Sequence, residues 1–551
     1  MSEKKYVIGV DFGTLSGRAV LVEAATGSIL GQRECRYPHG VMTSLPGGPD
    51  LGSGWAIQDP ADYLAVLEGT IPSLLRETGV AGKDVAAIGC DVTSCTILPA
   101  LGDGTPLCKT APYVARPHAY VKMWKHHGAL HQARRIEAWA KREYPALLAR
   151  YGGKVSSQWM LPKILQLLEE DPEVYRDCDL ILEAVDWLAL TLTGTLRRNT
   201  CCAGFKSFWS EDGGYPPQEF FTGLDARLKD LVPAKLRGWM AAPWQAVGHL
   251  TPDWAKRLGL TTATVVASGI IDAHAGVLGS GITEPGRLMM ILGTSACHIL
   301  LCAQEVEVPG ICGSSKDAIL PGLCAYEAGQ ACVGDMLDWF VRGNVPAAIT
   351  SAAERQGVTV HQLLTQQADA LRPGESGLLA LDWWNGQRTP LVDDRLTGMM
   401  LGMTLHTTPA QQYRALMEAA AFGAKLVVET LEAAGIQAEE IVACGGIVGK
   451  NPVMMQIYAD VLERPIRVAA SDQCPALGAA ILAATAAGIY ETAQAAVQHM
   501  TRPGSTVYTP QKEHQPPYRT LYSAYRALTD AFGGGSVMKD VLALRESAAG
   551  K

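Results

Sequence analysis

Asp11 closes the apolar alternation of 7-VIGVDF-12 and is followed at once by 13-GTLSG-17. A tight turn built from Gly13, Thr14, Ser16 and Gly17 turns backbone N–H groups and hydroxyls to one side, a surface suited to phosphate oxygens. A carboxylate facing those phosphates is tolerable only beside a cation such as hydrated Mg2+. The alternative is a plain turn cap, with Asp11 accepting N–H bonds. The lysine-bearing P-loop pattern is absent, which excludes an ordinary P-loop enzyme.

Two further places invite chemistry. Asp272 ends the apolar stretch of 265-VVASGIIDAHAG-276, where an acid is either a helix cap or a base. In 444-CGGIVGKNP-452 a strand runs into Gly445 and Gly446, which let backbone approach a flat ligand, and Asn451-Pro452 opens a helix. Asn451 as a simple N-cap is the competing reading.

These residues need elements to hold them. Residues 6–12 and 18–24 form a hairpin, and the pattern returns in 288-LMMILGTSACHILLC-302, again with Gly-Thr at the bend. Two such hairpins predict an internal duplication, one copy per domain. Strands are expected at 85–92, 180–184, 441–446 and 466–470. Helices are expected at about 60–77, 159–170, 330–341, 409–434, 452–463 and 475–487, the first opened by Asp59-Pro60 as N-cap and first helical residue. Strands and helices intermix, so the class is α/β. The segment 502-RPGSTVYTPQKEHQPPYR-519 reads as an extended surface tail before a last helix.

Length and composition limit what the site can serve. A chain of 551 residues exceeds one core and predicts two domains of roughly 200 to 300 residues. A net charge of −8 offers no basic face, so nucleic acid is excluded as a partner. The 14 cysteines contain no Cys-x-x-Cys pair and fit free thiols in a reducing cytoplasm. Residues 1–10 lack a signal core, and Gly293, Ser295 and His298 interrupt the longest apolar run, so no membrane span is expected.

In order, DFGTLSGR, SGIIDAHAG, ILGTSAC, CGGIVGKNP and 475-PALGAA-480 resemble the FGGY carbohydrate kinases, over nearly the whole chain. The resemblance implies two duplicated ribonuclease-H-like domains of the actin and sugar-kinase type around a cleft. It places a sugar- and phosphate-binding domain at 1–280 and a nucleotide-binding domain at 281–551, with a tail from about residue 500. It implies ATP and Mg2+ as cofactors, Asp272 as base and Asp11 on the metal. Gly13, Thr14, Gly293 and Thr294 would wrap the phosphates, and Gly445, Gly446 and Asn451 would line the adenosine pocket.

Within the family, 157-SQWMLPKILQLLEEDPEV-174, 201-CCAGFKSFW-209, 326-YEAGQACVGD-335 and 382-DWWNGQRTP-390 resemble the branch that phosphorylates L-ribulose in L-arabinose use. That resemblance implies Lys206 and Glu327 as sugar partners, with Asp91, Ser94 and Cys95 on one wall and Trp124 on another. A surface salt bridge is the plain alternative for Lys206 and Glu327. Many relatives carry Asp and Arg after the tryptophan, whereas this chain has 124-WKHHG-128, so His126 cannot supply the same acceptor. A homodimer is the expected assembly. Three alternatives stay open at this point: a kinase for D-ribulose, xylulose or ribitol; an actin- or chaperone-like ATPase, told apart by ATP turnover without sugar; and a non-catalytic sugar-binding regulator.

Overall fold

The computed structural model describes residues 5–52 and 54–548. Two seven-stranded sheets carry the molecule. In the first, Tyr6–Phe12 pairs antiparallel with Ser16–Glu23 and parallel with Val85–Val92, and Ser28–Arg36 extends the meander. In the second, Arg287–Leu292 pairs antiparallel with Ala296–Cys302 and parallel with Glu440–Cys444, and Cys324–Gln330 extends the meander. The same three-strand meander with the same parallel neighbour occurs twice, so the repeated Gly-Thr hairpin does mark a duplicated α/β unit. A smaller four-stranded sheet of Ile57–Gln58, Val121–Lys122, Ile97–Ala100 and Leu180–Glu183 stands beside the first sheet with its own apolar core.

Two short-residue helices, Asp272–Gly279 and Cys474–Ala486, cross between the sheets. Glycine makes that crossing possible. A Cβ on Gly279 would lie 1.9 Å from the Cys474 carbonyl oxygen, and one on Gly478 would lie 1.9 Å from that of Ala275. The Cys474–Ala486 helix comes late in the chain, yet its apolar residues join the core of the first sheet. The far face of the second sheet is covered by the long helix Pro409–Ala433, whose N-cap Thr408 and Gln411 form a reciprocal capping box.

Local signals placed most elements well. Asp59 accepts from the Ala61 N–H and opens the helix Pro60–Thr78. The expected helices at 159–170, 452–463 and 475–487 are Met160–Glu170, Pro452–Leu462 and Cys474–Ala486. The segment 502–519 differs from an extended tail. Val507–Tyr508 pairs with Ile466–Val468 as an edge strand, and a helix already begins at Gln515. Pro516 and Pro517 sit in its first turn, where a missing N–H costs nothing, and Tyr518, Tyr522 and Tyr525 pack around Phe422. No helix among the described residues is long and apolar enough to cross a membrane.

Candidate active site

The first sheet ends in a pair of acids. Asp11 and Asp91 are register partners on adjacent parallel strands, and both Asp91 carboxyl oxygens are buried with no hydrogen-bond partner among the described residues. Burial raises both, and the charges of Asp11 and Asp272 push Asp91 well above the usual carboxylate range. The Arg18 guanidinium, 3.6 Å from Asp11, partly offsets the burial there. Beyond Asp11 the turn closes as Gly13 N–H donates to the Ser16 carbonyl at 3.0 Å.

A cavity of about 410 Å3 opens between the two halves above this floor. Asp11, Gly13 and Thr14 line it from the first hairpin, and Gly293 and Thr294 line it from the second. Asp272 enters from the helix crossing. It is the first helical residue rather than the cap, which is Ile271, and among the described residues its carboxylate accepts from its neighbour Ala273 N–H alone. Burial, then the charge of Asp11, raises it to about 7.

At the other end of the cavity Lys206, the last residue of the helix Thr200–Lys206, meets Glu327 of the second sheet at 2.8 Å. This ion pair is buried and joins the two halves, which removes the surface-bridge reading. Lys206 also donates to the Cys312 carbonyl at 3.2 Å. His274 Nε2 lies 3.3 Å from the other Glu327 oxygen, and its Nδ1 is 3.1 Å from Cys201 Sγ. Burial opposes ionisation of Glu327, but Lys206 and His274 outweigh it and hold the carboxyl well below its ordinary range.

Ser94, Cys95 and Trp124 complete the walls. The Trp124 indole N–H donates to the Thr14 hydroxyl at 3.0 Å, joining this wall to the turn after the first strand. His126 turns away from the cavity and is fully buried. Its Nδ1 accepts from Ala56 N–H at 3.3 Å and its Nε2 donates to Gln166 at 2.9 Å, so the 124-WKHHG-128 departure pins the loop from behind.

Four expected residues stand outside the cavity lining. Asp91 is completely buried, because its side chain alternates to the same face as Asp11 and stops against it, one layer below the cavity. Gly445, Gly446 and Asn451 follow the strand Glu440–Cys444, which runs parallel to Arg287–Leu292; their loop therefore lies next to Gly293, with Ile447 N–H donating to the Leu292 carbonyl. Gly445 has φ +105°, and a Cβ there would lie 2.4 Å from the Leu292 oxygen. Asn451 caps its helix by accepting from Met454 N–H at 3.0 Å.

Three residues that sequence reasoning passed over belong to this site. Arg388 lines the cavity, and His274 supports Glu327. Lys163 is fully buried and donates to the carbonyls of Cys95 at 2.6 Å and Met123 at 2.9 Å, holding both walls. Its signal was a lone cation inside the apolar run 160-MLPKILQLL-168, which on a buried helix must have a polar target.

The N-terminal domain model of the FGGY family of carbohydrate kinases matches residues 6–279, and the C-terminal domain model of that family matches 288–487. A ribulokinase of Anoxybacillus flavithermus is 47% identical over 99% of this chain and 98% of its own length. A ribulokinase of Mycolicibacterium smegmatis is 45% identical over 99% of this chain and 97% of its own. A ligand-bound xylulose kinase from Lactobacillus acidophilus shares the fold with a TM-score of 0.79 at 20% identity, over 96% of this chain and 99% of that one. A Plasmodium falciparum glycerol kinase with ADP superposes with a TM-score of 0.76 at 14% identity, over 96% and 98%.

Proposed function

The chain belongs to the FGGY family of carbohydrate kinases, and from that premise we propose that the cavity transfers the γ-phosphoryl group of ATP to the terminal hydroxyl of L-ribulose, giving L-ribulose 5-phosphate in L-arabinose use. Ribulokinases that match the chain end to end support the substrate. The observation that carries the site is one cavity joining Asp272, both Gly-Thr turns and the Lys206–Glu327 pair.

Phosphoryl transfer needs an aimed hydroxyl, neutralised phosphates and little covalent chemistry from the protein. Asp272 accepts the hydroxyl proton as the sugar oxygen bonds to phosphorus and the bond to ADP breaks. Lys206 and Glu327 hold sugar hydroxyls, with Ser94, Cys95 and Trp124 as walls. Gly13, Thr14, Gly293 and Thr294 cradle the β- and γ-phosphates, and the Gly445, Gly446 and Asn451 loop receives the nucleoside. Closure of the halves excludes water that would otherwise take the phosphoryl group.

Mg2+ fits this donor set. Asp11 offers one carboxylate oxygen donor in the cavity lining beside Gly13 and Thr14, which suits a hard cation that keeps several waters and shares the ATP phosphates. Asp11 is the residue that would hold it. When bound, Mg2+ neutralises charge on the β- and γ-phosphates. We place the enzyme in the cytoplasm, which the free thiol state of all fourteen cysteines supports, and read it as a homodimer, supported by the exposed run Leu401, Met403 and Leu405.

A panel of pentuloses, pentitols and aldoses assayed for ATP-dependent phosphorylation tests the proposal. L-Ribulose should give the highest kcat/KM, D-ribulose and ribitol less, and L-arabinose essentially none. A higher kcat/KM for xylulose, or ATP turnover independent of any sugar, overturns it.

A further inference from the structure

A second cavity, of about 420 Å3, lies away from the catalytic one. Its walls are the link between the sheets at Ser280–Glu284, the strand positions Arg287, Glu440 and Arg467, and the end of the helix Ala493–Met500 with Thr501 and Arg502. Three guanidinium groups therefore face one space in a chain whose net charge is −8.

Their partners leave that space positive. A single carboxylate, Glu440, serves two of them, with Oε2 at 3.1 Å from Arg287 Nε and Oε1 at 3.2 Å from Arg467 Nε. Glu284 reaches only Arg287, at 3.6 Å. Arg502 meets no carboxylate among the described residues and donates to the carbonyls of His499 and Thr501 through Nη1. Glu440 thus fixes two guanidiniums by their Nε atoms; Arg467 Nη1 also donates to the Gly504 carbonyl at 3.0 Å and Arg287 Nη2 is the atom that faces Glu284, which leaves the other terminal nitrogen of each for an incoming acceptor. Preorganised arginine forks match the oxygens of a phosphate group, and Thr283 supplies a hydroxyl beside them; the Thr501 hydroxyl donates to the Val497 carbonyl at 2.8 Å.

The place gives such binding a consequence. Ser280 follows Gly279, the residue whose backbone touches Cys474 where the two crossing helices meet. Gly281, at φ +82°, lies against Thr501, whose hydroxyl would be 2.9 Å from a Cβ there. An occupant would hold the link between the two sheets to Thr501 and Arg502.

We propose that this cavity binds a phosphate-bearing small anion, through Arg287, Arg467 and Arg502, as a site separate from the catalytic cleft. The ligand class is a phosphorylated metabolite, recognised by its phosphate and small enough for the volume.

Calorimetric titration of inorganic phosphate into the full chain, with the catalytic cleft already filled by a non-hydrolysable ATP analogue and L-ribulose, tests the site. Filling of the cleft is measured first, and its failure counts against the kinase reading rather than this one. The expected result is saturable phosphate binding that weakens by at least about tenfold in Arg502→Gln and disappears in Arg502→Glu. Both changes lie at an exposed position, and basal L-ribulose phosphorylation should be unchanged. Absence of phosphate binding to the filled enzyme, or equal affinity in wild type and Arg502→Glu, overturns the proposal.

Discussion

Asp11 and Asp91 face the same side of neighbouring parallel strands as direct register partners, so one carboxyl lines the cavity and a second lies buried directly beneath it. Like charges so close cannot both ionise, and the deeper group keeps the proton. Asp91, whose carboxyl oxygens are buried without a hydrogen-bond partner among the described residues, therefore holds the proton, and Asp11 is the carboxylate that lines the cavity.

That division of roles separates two substitutions. Asp91→Asn preserves a neutral donor, so kcat should stay within about threefold of wild type and the Mg2+ titration should not move. Asp11→Ala removes the group facing the phosphates, so turnover should fall by at least about 10²-fold with a weakened Mg2+ dependence. Equal losses in both variants, measured by steady-state kinetics across Mg2+ concentrations, would contradict the assignment.

Asp272 must be ionised to take a proton, and burial raises it to about 7. The kcat/KM for sugar should therefore rise with pH through about 7 and level off above it. Stability runs the other way. The unfolded chain ionises this group near its ordinary value of 3.8, so between that value and about 7 the folded state binds more protons and loses stability as pH rises. Asp272→Asn should lower turnover by roughly 10² to 10⁴ yet raise Tm at pH 8, with the gain fading towards pH 4. A Tm difference that does not change with pH would show that Asp272 is not the strained acid described.

The elements that carry chemistry were legible because each depends on nearby sequence. Alternating apolar residues and Gly-Thr bends marked both hairpins, and Asp59-Pro60 marked a helix start by local capping. What escaped depends on contacts across the chain. Nothing near Asp91 says that Asp11, eighty residues earlier, will stand opposite it. The prolines of 516–517 read as a tail because their tolerance in a first helical turn matters only once Tyr518, Tyr522 and Tyr525 have Phe422 to pack on. Likewise the inward turn of His126 follows from Gln166 on a distant helix.

Lys206 and Glu327 come from opposite halves and neutralise each other in a buried site. Lys206→Met leaves an uncompensated carboxylate, a loss of about 3 to 5 kcal/mol for a broken buried pair. Glu327 is held below its ordinary 4.5, so the stabilisation is full above that value and is lost as pH falls beneath it. The drop in Tm should be larger at pH 7 than at pH 4. The kcat/KM for L-ribulose should fall by at least about tenfold, or 1.4 kcal/mol, while ATP binding barely changes. Unaltered sugar kinetics in this variant would remove the pair from the sugar site.

Lys163 offers the sharpest division between support and chemistry. Lys163 does not itself line the cavity, yet its ammonium group fixes the carbonyls of Cys95 and Met123 from behind. Cys95 is held at φ +53°, a left-handed conformation unusual for a residue with a side chain, and Met123 precedes Trp124, whose indole reaches Thr14. Removing the cation frees two buried carbonyls at about 1 to 3 kcal/mol each and lets both walls relax. Lys163→Met, which keeps the apolar stem, should raise the KM for L-ribulose by at least about tenfold with the KM for ATP within about twofold. Lys163→Arg, which retains donors, should recover part of the loss. Steady-state kinetics on both variants, with circular dichroism to confirm folding, checks this; a fall in Tm with both KM values unchanged would make Lys163 a core residue with no hold on the sugar.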